Sequence, residues 1–310
     1  MIFSWHETIK IIIDFICSDT SIMINKEISK KDFIIQLFVA IDDMYQMLWM
    51  FPWKKVWRPR KMWPSEVITC MLFGIFTWYK TIKDLHRDLI SYHQDSFNIP
   101  SYKSFVDAVN NYGRDALLLL CAFVQMNRNM SWWRLKFIDA TPVAVCNNKR
   151  IFDHKVCDWF AERGKSTMWW FFGFKLHMIV DECWNLLAFT ISPGNVDDRK
   201  VVKKMVRKLT WKLIADAWYV SWKLIDDLSE MWITFLSWYK KNMKKLVTYE
   251  YLRLHKLRQI VETWFGMMKC WWTLVSSYAR SVWGHLSRLI YNLLGYCVRR
   301  NGSKGEFAIS

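Results

Sequence analysis

Trp132-Trp133-Arg134-Leu135-Lys136-Phe137-Ile138-Asp139-Ala140 is the stretch at which the texture of this sequence changes. Upstream, apolar residues recur at three- and four-residue steps, as on packed helices. From Leu135 onward they gather into short dense runs: Leu135–Ala140, Phe171–Val180, Leu186–Ser192, Lys212–Asp216 and Ile233–Ser237. Runs of this length, separated by turn-forming residues, predict strands. Helical patterns fall between them, Val196–Leu209 after the third run and Trp222–Met231 after the fourth, and a helical stretch from about Tyr249 to Lys269 follows the fifth.

Three strands, a helix, then strand, helix, strand and helix predict an α/β fold: an RNase H-like mixed sheet flanked by helices. Working back from Leu135, the first 130 residues predict a helical region. Lys31–Met50 has helical apolar spacing, Ser65–Tyr79 and Ile82–Tyr92 read as two helices, and Pro100-Ser101-Tyr102-Lys103-Ser104-Phe105 starts another apolar stretch through Met126. Two readings stand for this region, a DNA-binding helix-turn-helix and helices that only pack on the rest. Between the helices, Lys54-Lys55-Val56-Trp57-Arg58-Pro59-Arg60-Lys61 carries five like charges and a proline, which predicts an extended, solvated connector able to track phosphates. The expected organisation is 1–130 helical and DNA-binding, 131–300 catalytic, 301–310 a tail.

Charge narrows the class of partner. Lys and Arg total 44 against 28 Asp and Glu, a formal net charge of +16, and such a field favours a polyanion. At 53% apolar content the 310 residues have ample material for a core, so disorder is excluded. The apolar runs Ile11–Ile16, Val67–Tyr79 and Ala116–Met126 are shorter than the roughly 18–20 residues of a spanning helix. The N-terminus lacks the basic-then-apolar pattern of a secretory signal, and the expected location is the cytoplasm, with the nucleoid. The eight cysteines stand singly with no C-x-x-C pair, which argues for buried reduced thiols rather than zinc or redox chemistry. The seven histidines are equally scattered, so a metal here is expected to be held by oxygen.

Acids stand where apolar runs stop. Asp139 lies near the end of the first expected strand and Asp216 ends the fourth. In-line attack on a phosphodiester uses cations at the attacking and leaving oxygens, and clustered carboxylates offer the hard ligands that Mg²⁺ or Mn²⁺ prefers. A third acid comes from the helical stretch His255-Lys256-Leu257-Arg258-Gln259-Ile260-Val261-Glu262-Thr263-Trp264-Phe265-Gly266-Met267-Met268-Lys269. At about 100° per residue, His255, Arg258, Glu262 and Lys269 share one face. By spacing alone this is equally an exposed helix with an ordinary ion pair.

The motifs together resemble the core of bacterial insertion-sequence transposases with a DDE domain. The resemblance rests on Lys136-Phe137-Ile138-Asp139-Ala140-Thr141-Pro142-Val143, Gly164-Lys165-Ser166-Thr167, Phe171-Phe172-Gly173-Phe174-Lys175-Leu176-His177 and Ser192-Pro193-Gly194-Asn195-Val196-Asp197-Asp198-Arg199. Asp216-Ala217-Trp218-Tyr219-Val220-Ser221 resembles the family's second-aspartate motif, usually Asp-Lys-Gly-Tyr-Ile-Ser. Arg258, Glu262 and Lys269 match its Y-x2-R-x3-E-x6-K signature, with His255 where tyrosine is usual.

What the resemblance implies is an enzyme that cleaves at terminal inverted repeats and joins the freed 3′-hydroxyl to target DNA. It implies Asp139, Asp216 and Glu262 as ligands of Mg²⁺ or Mn²⁺, and phosphate contacts at Arg258 and Lys269, extending to Lys175 and His177. DNA is the implied partner, with a homodimer as one assembly open to the chain. Arg58, Arg60 and Lys61 of the connector are the further DNA contacts expected from charge. Asp197 and Asp198 begin the helix after the third strand and are expected to cap it. Two rivals stay open at this point: a nuclease of the same fold that cuts without joining, and an inactive DNA-binding remnant.

Glycine usage is anomalous. Twenty-one tryptophans accompany only ten glycines, against an average glycine share of about 7%. Trp218 takes the glycine place of the second-aspartate motif, Trp57 precedes Arg-Pro-Arg where the likeness has glycine, and Trp184 sits in a turn-like slot between strands. Trp132-Trp133 and Trp271-Trp272 would make ordinary loops as glycine pairs. Either a codon read as glycine in one bacterial code is written here as tryptophan, or the chain is tryptophan-rich in fact.

Overall fold

A computed structural model describes residues 29–48, 61–132, 134–157, 160–166, 169–207, 209–237, 262, 265–266 and 279–302. The chain divides into two compact units, 1–121 with 286–310, and 122–285.

The first unit is helical. It contains α1 (Lys30–Leu48), α2 (Pro64–Phe76), α3 (Ile82–Tyr92), α4 (Tyr102–Asn111) and the first half of α5 (Gly113–Met130), joined by the later part of α8 (Val282–Gly302). Apolar periodicity explains these helices: Ile34, Leu37, Ile41 and Met44 of α1 recur on one face and all are buried. α3 begins where Thr81 accepts the Asp84 amide, an N-cap. The C-terminal helix joins this unit through specific contacts. Tyr291 donates to the Val109 carbonyl at 3.1 Å, and Gly295 lies against Leu72 and Ile75.

The second unit is built on a six-stranded sheet, and its strands are β1 (Lys136–Ala144), β2 (Glu162–Lys165), β3 (Trp170–Asp181), β4 (Leu186–Pro193), β5 (Trp211–Ala215) and β6 (Ile233–Ser237). β1 lies between β3 and β5; β6 follows β5, and β2 and β4 pair with successive parts of β3. β1, β5 and β6 run parallel, while β3 is antiparallel to β1, β2 and β4. This is the RNase H-like mixed sheet, with α6 (Arg199–Met205) and α7 (Trp222–Ser229) packed against it.

Five of the strands follow the expected apolar runs. β2 is not among them, because Glu162-Arg163-Gly164-Lys165 lacks an apolar run and is recruited by pairing with β3. β1 extends through Pro142, past the expected end at Ala140. Val145 N–H donates to the Phe172 carbonyl, so by alternation the position of Pro142 faces away from β3, where β5 has already ended and no ladder bond is lost.

One apolar cluster, containing Ile138, Ile179, Ala188, Val202, Leu213, Ala215, Leu224 and Leu228, fills the space between the sheet and α6 and α7. The end of α5 is tied to the sheet by polar contacts instead: Asn127 donates to the Leu186 carbonyl, and Arg128 to those of Leu187 and Met205. Among the described cysteines, Cys70, Cys157 and Cys297 are buried as expected, but Cys121 is exposed on α5 because its position falls outside the apolar face. Among the described residues no helix is long and apolar enough to cross a membrane.

Candidate active site

The last registered couple of the parallel strands β1 and β5 is Phe137 with Ile214. Asp139 and Asp216 each stand two residues beyond that couple. Neighbouring strands lie about 4.8 Å apart and residues two apart share a face, so both aspartates occupy one face of the paired strands, Asp139 inside β1, which runs on to Ala144, and Asp216 one residue past the end of β5. Asp216 keeps extended backbone, φ −72° and ψ 166°, which preserves that alternation just past the end of β5. One oxygen of each carboxylate accepts from the next amide, Ala140 N at 2.7 Å and Ala217 N at 2.5 Å. These contacts fix the rotamers of both side chains.

Immediately after Asp216 the chain makes one 3-10 turn, Ala217–Tyr219, closed by the Tyr219 amide donating to the Asp216 carbonyl. That turn sends Tyr219 inward, where it is 1% exposed and packs in the cluster of Ile138 and Ala215. Its hydroxyl has no hydrogen-bond partner among the described residues. Burial, followed by the negative charges of Asp139, Asp198, Asp216 and Asp197, holds that hydroxyl well above its ordinary pKa. Four carboxylates thus act on the titration of one buried hydroxyl. Its sequence signal was present, an aromatic hydroxyl three residues past a strand-end acid, yet spacing did not reveal that it turns inward.

A second group lies on the other face of β3. Lys175 and His177 register with Pro142 and Ala140, opposite in parity to Asp139, which registers with Met178. Lys175 Nζ binds Asp198 Oδ1 and the Val196 carbonyl, both at 2.9 Å. His177 is 0% exposed, and its Nε2 meets Ser192 Oγ at 2.8 Å. Burial dominates its titration and lowers its pKa to about 4, so it is neutral at pH 7. The expected phosphate contact of His177 therefore has no surface to act through. Of the two acids expected to cap α6, only Asp197 accepts a backbone amide there, that of Arg199, whose guanidinium it also pairs; Asp198 makes no side-chain cap bond and pairs with Lys175 instead. The Arg199 hydrogen bonds pull Asp197 down to about 2.

The family model described as "Transposase DDE domain" matches residues 131–282. The chain carries a transposase DDE domain. Comparisons with curated proteins and with solved structures give no match.

Within the DDE domain the two aspartates are brought together, but the third acid is not seen to join them. Glu262 is helical and exposed, and among the described residues no group of three metal-capable side chains forms. Arg258 and Lys269, with the rest of their stretch apart from Glu262, Phe265 and Gly266, lie outside the described residues, as do Arg58 and Arg60. Lys61 is described and exposed. Asp181 is the competing acid of the sheet, wholly buried at the end of β3. It is consumed by the turn that follows: its oxygens accept the amides of Cys183 and Asn185, the Asn185 side chain and the Ser131 hydroxyl.

The residues present fit a divalent cation. Asp139 and Asp216 form a hard oxygen donor set, which suits Mg²⁺ or Mn²⁺. The hydroxyl of Tyr219 is buried without a hydrogen-bond partner, and the charges of both aspartates help to raise its pKa.

Proposed function

We propose that this transposase cleaves DNA at the terminal inverted repeats of an insertion sequence and joins the freed 3′-ends to target DNA, with Asp139, Asp216 and Glu262 holding Mg²⁺ or Mn²⁺. The observation that carries this reading is the matched position of Asp139 and Asp216 on one face of adjacent parallel strands, each two residues past their last registered couple, inside a DDE domain. When bound, two divalent ions supply an activated attacking oxygen and charge stabilisation at the leaving oxygen.

The chain's own groups have distinct tasks. Asp139 and Asp216 present oxygens whose rotamers are held by Ala140 N and Ala217 N. Glu262 adds the third carboxylate from its helix. Arg258 and Lys269, four residues before it and seven after it in the sequence, grip phosphates on either side. The connector bases Arg58, Arg60 and Lys61 hold flanking DNA without reading its sequence. The setting is the nucleoid in the cytoplasm, and a homodimer would offer one site to each end of the element.

The test is a duplex carrying the inverted repeat that flanks the gene, incubated with Mg²⁺ and a target plasmid. The expected products are a nick at the repeat boundary and a joined strand, both lost in Asp139→Asn, Asp216→Asn and Glu262→Gln. Cleavage without joining would favour a nuclease of the same fold, and near wild-type cleavage by any one variant would remove that residue from the site.

A further inference from the structure

Four non-glycine residues among those described have positive φ: Trp78 at 67°, Trp184 at 65°, Trp211 at 78° and Trp232 at 60°. All four are tryptophan. A bulky residue in the left-handed region is an outlier, because its Cβ crowds the backbone, while glycine enters it without that clash.

The local hydrogen bonds identify the places these residues fill. After α2, Trp78 donates to the Ile75 carbonyl and Tyr79 to that of Gly74. This is the Schellman termination of a helix, whose left-handed position is usually glycine. Between β3 and β4, Trp184 donates to the Asp181 carbonyl and Asp181 to that of Asn185, a tight turn closed by a left-handed residue. In hairpins that residue is the glycine of a G1 bulge. Trp232 joins α7 to β6 and Trp211 opens β5, both at chain reversals into a strand.

Burial carries the same message independently. Eleven tryptophans are described and none is buried, although phenylalanines are prominent in the core. Nine are exposed, among them Trp232 at 88%, Trp222 at 72% and Trp218 at 65%. Tryptophan is a highly buried residue on average, since its indole is large and apolar. Here it sits where turns meet water. Residues written as glycine have another role: a Cβ on Gly164 would stand 2.3 Å from the Gly194 carbonyl oxygen.

We propose that the polypeptide made by the natural host carries glycine at positions 78, 184, 211 and 232, and by the same decoding at position 218 beside Asp216, through UGA codons read as glycine. Bacterial codes exist that read UGA as tryptophan and others that read it as glycine, so one codon accounts for every position. At 218 the change removes an exposed indole two residues past Asp216 and leaves that end of β5 open to a DNA backbone. The proposal does not depend on the catalytic reading; it stands on backbone conformation and burial.

Codons 78, 184, 211, 232 and 218 should all be UGA in the gene, and UGG at any of the first four overturns the proposal. Peptides from native cells covering 78 and 184 should have the mass of glycine, and tryptophan there overturns it too. For recombinant protein, the combination Trp78→Gly, Trp184→Gly, Trp211→Gly and Trp232→Gly should raise soluble yield and the urea midpoint above the chain as written. It should also exceed the same four positions changed to Ala, which lose the indole but keep the Cβ. Equal behaviour of the glycine and alanine sets would show that removal of surface indoles, and not φ, was responsible.

Discussion

Asp139 and Asp216 lie two residues beyond Phe137 and Ile214, the last registered couple of two parallel strands, so their carboxylates stand on the same face of neighbouring strands. Two like charges so placed repel one another unless a cation or a proton intervenes. Asp216→Asn is therefore expected to abolish cleavage while raising stability in EDTA, by a few tenths to about 1 kcal/mol. It should also remove any rise in Tm on adding Mg²⁺. Thermal melts with and without the cation check both, and a large loss of stability in EDTA would show that Asp216 is held by partners instead of opposed by Asp139.

Tyr219 offers a second test at the same place. A buried hydroxyl without a partner costs about 1–3 kcal/mol, so Tyr219→Phe should leave metal-free stability unchanged or increased. If the hydroxyl orients the carboxylates, the same variant should need more Mn²⁺ to reach half of the metal-induced shift in Tm. A lowered urea midpoint in EDTA would mean that the hydroxyl is already paired in the metal-free protein.

His177 makes stability fall in acid. Its folded pKa of about 4 lies below its ordinary value of 6.5, so the folded protein resists the proton that the unfolded chain accepts. The contribution is intact above pH 6.5 and is lost as pH falls toward 4, up to about 3 kcal/mol at about 1.4 kcal/mol per pKa unit. Urea midpoints across this window should drop, and His177→Gln should flatten the drop between pH 6.5 and 4. A window unchanged by the substitution would assign the acid sensitivity elsewhere.

The basic connector predicts salt-sensitive binding. With a net charge of +16, non-specific DNA affinity should fall steeply with salt. Changing Arg58, Arg60 and Lys61 to Ala should shrink the log–log slope by about 0.9 for each phosphate that these side chains neutralise. Fluorescence anisotropy at several salt concentrations measures it. An unchanged slope would move the DNA footprint away from this segment.

Much of the fold was legible because strand formation here follows local apolar runs. Ile233–Ser237 matches its strand at both ends, and Phe171–Val180 and Leu186–Ser192 fall within one residue of theirs. The position of Asp216 just past the end of β5 was legible for the same reason, whereas Asp139, expected near a strand end, lies inside β1, which runs on to Ala144. β2 was hidden, since four polar and small residues become a strand only when β3 is there to pair with them.

Sequence by itself determined five of the six strands, their order, the acid just past β5 and, at Trp184, one slot that calls for glycine, because those depend on neighbours along the chain. Only the tertiary structure decided the faces. Strand side chains alternate with a period of two, so the register of β1 with β3 puts Lys175 and His177 opposite Asp139, where motif order had grouped them with it. The same holds for Tyr219, which sits three residues from Asp216 in sequence but is buried in the apolar cluster of Ile138, Val202 and Ala215. It holds also for the C-terminal helix, which follows the sheet in sequence yet packs with the helical unit through Tyr291 and Gly295. Register and packing partners are set by contacts between residues far apart in the chain, and no local pattern encodes them.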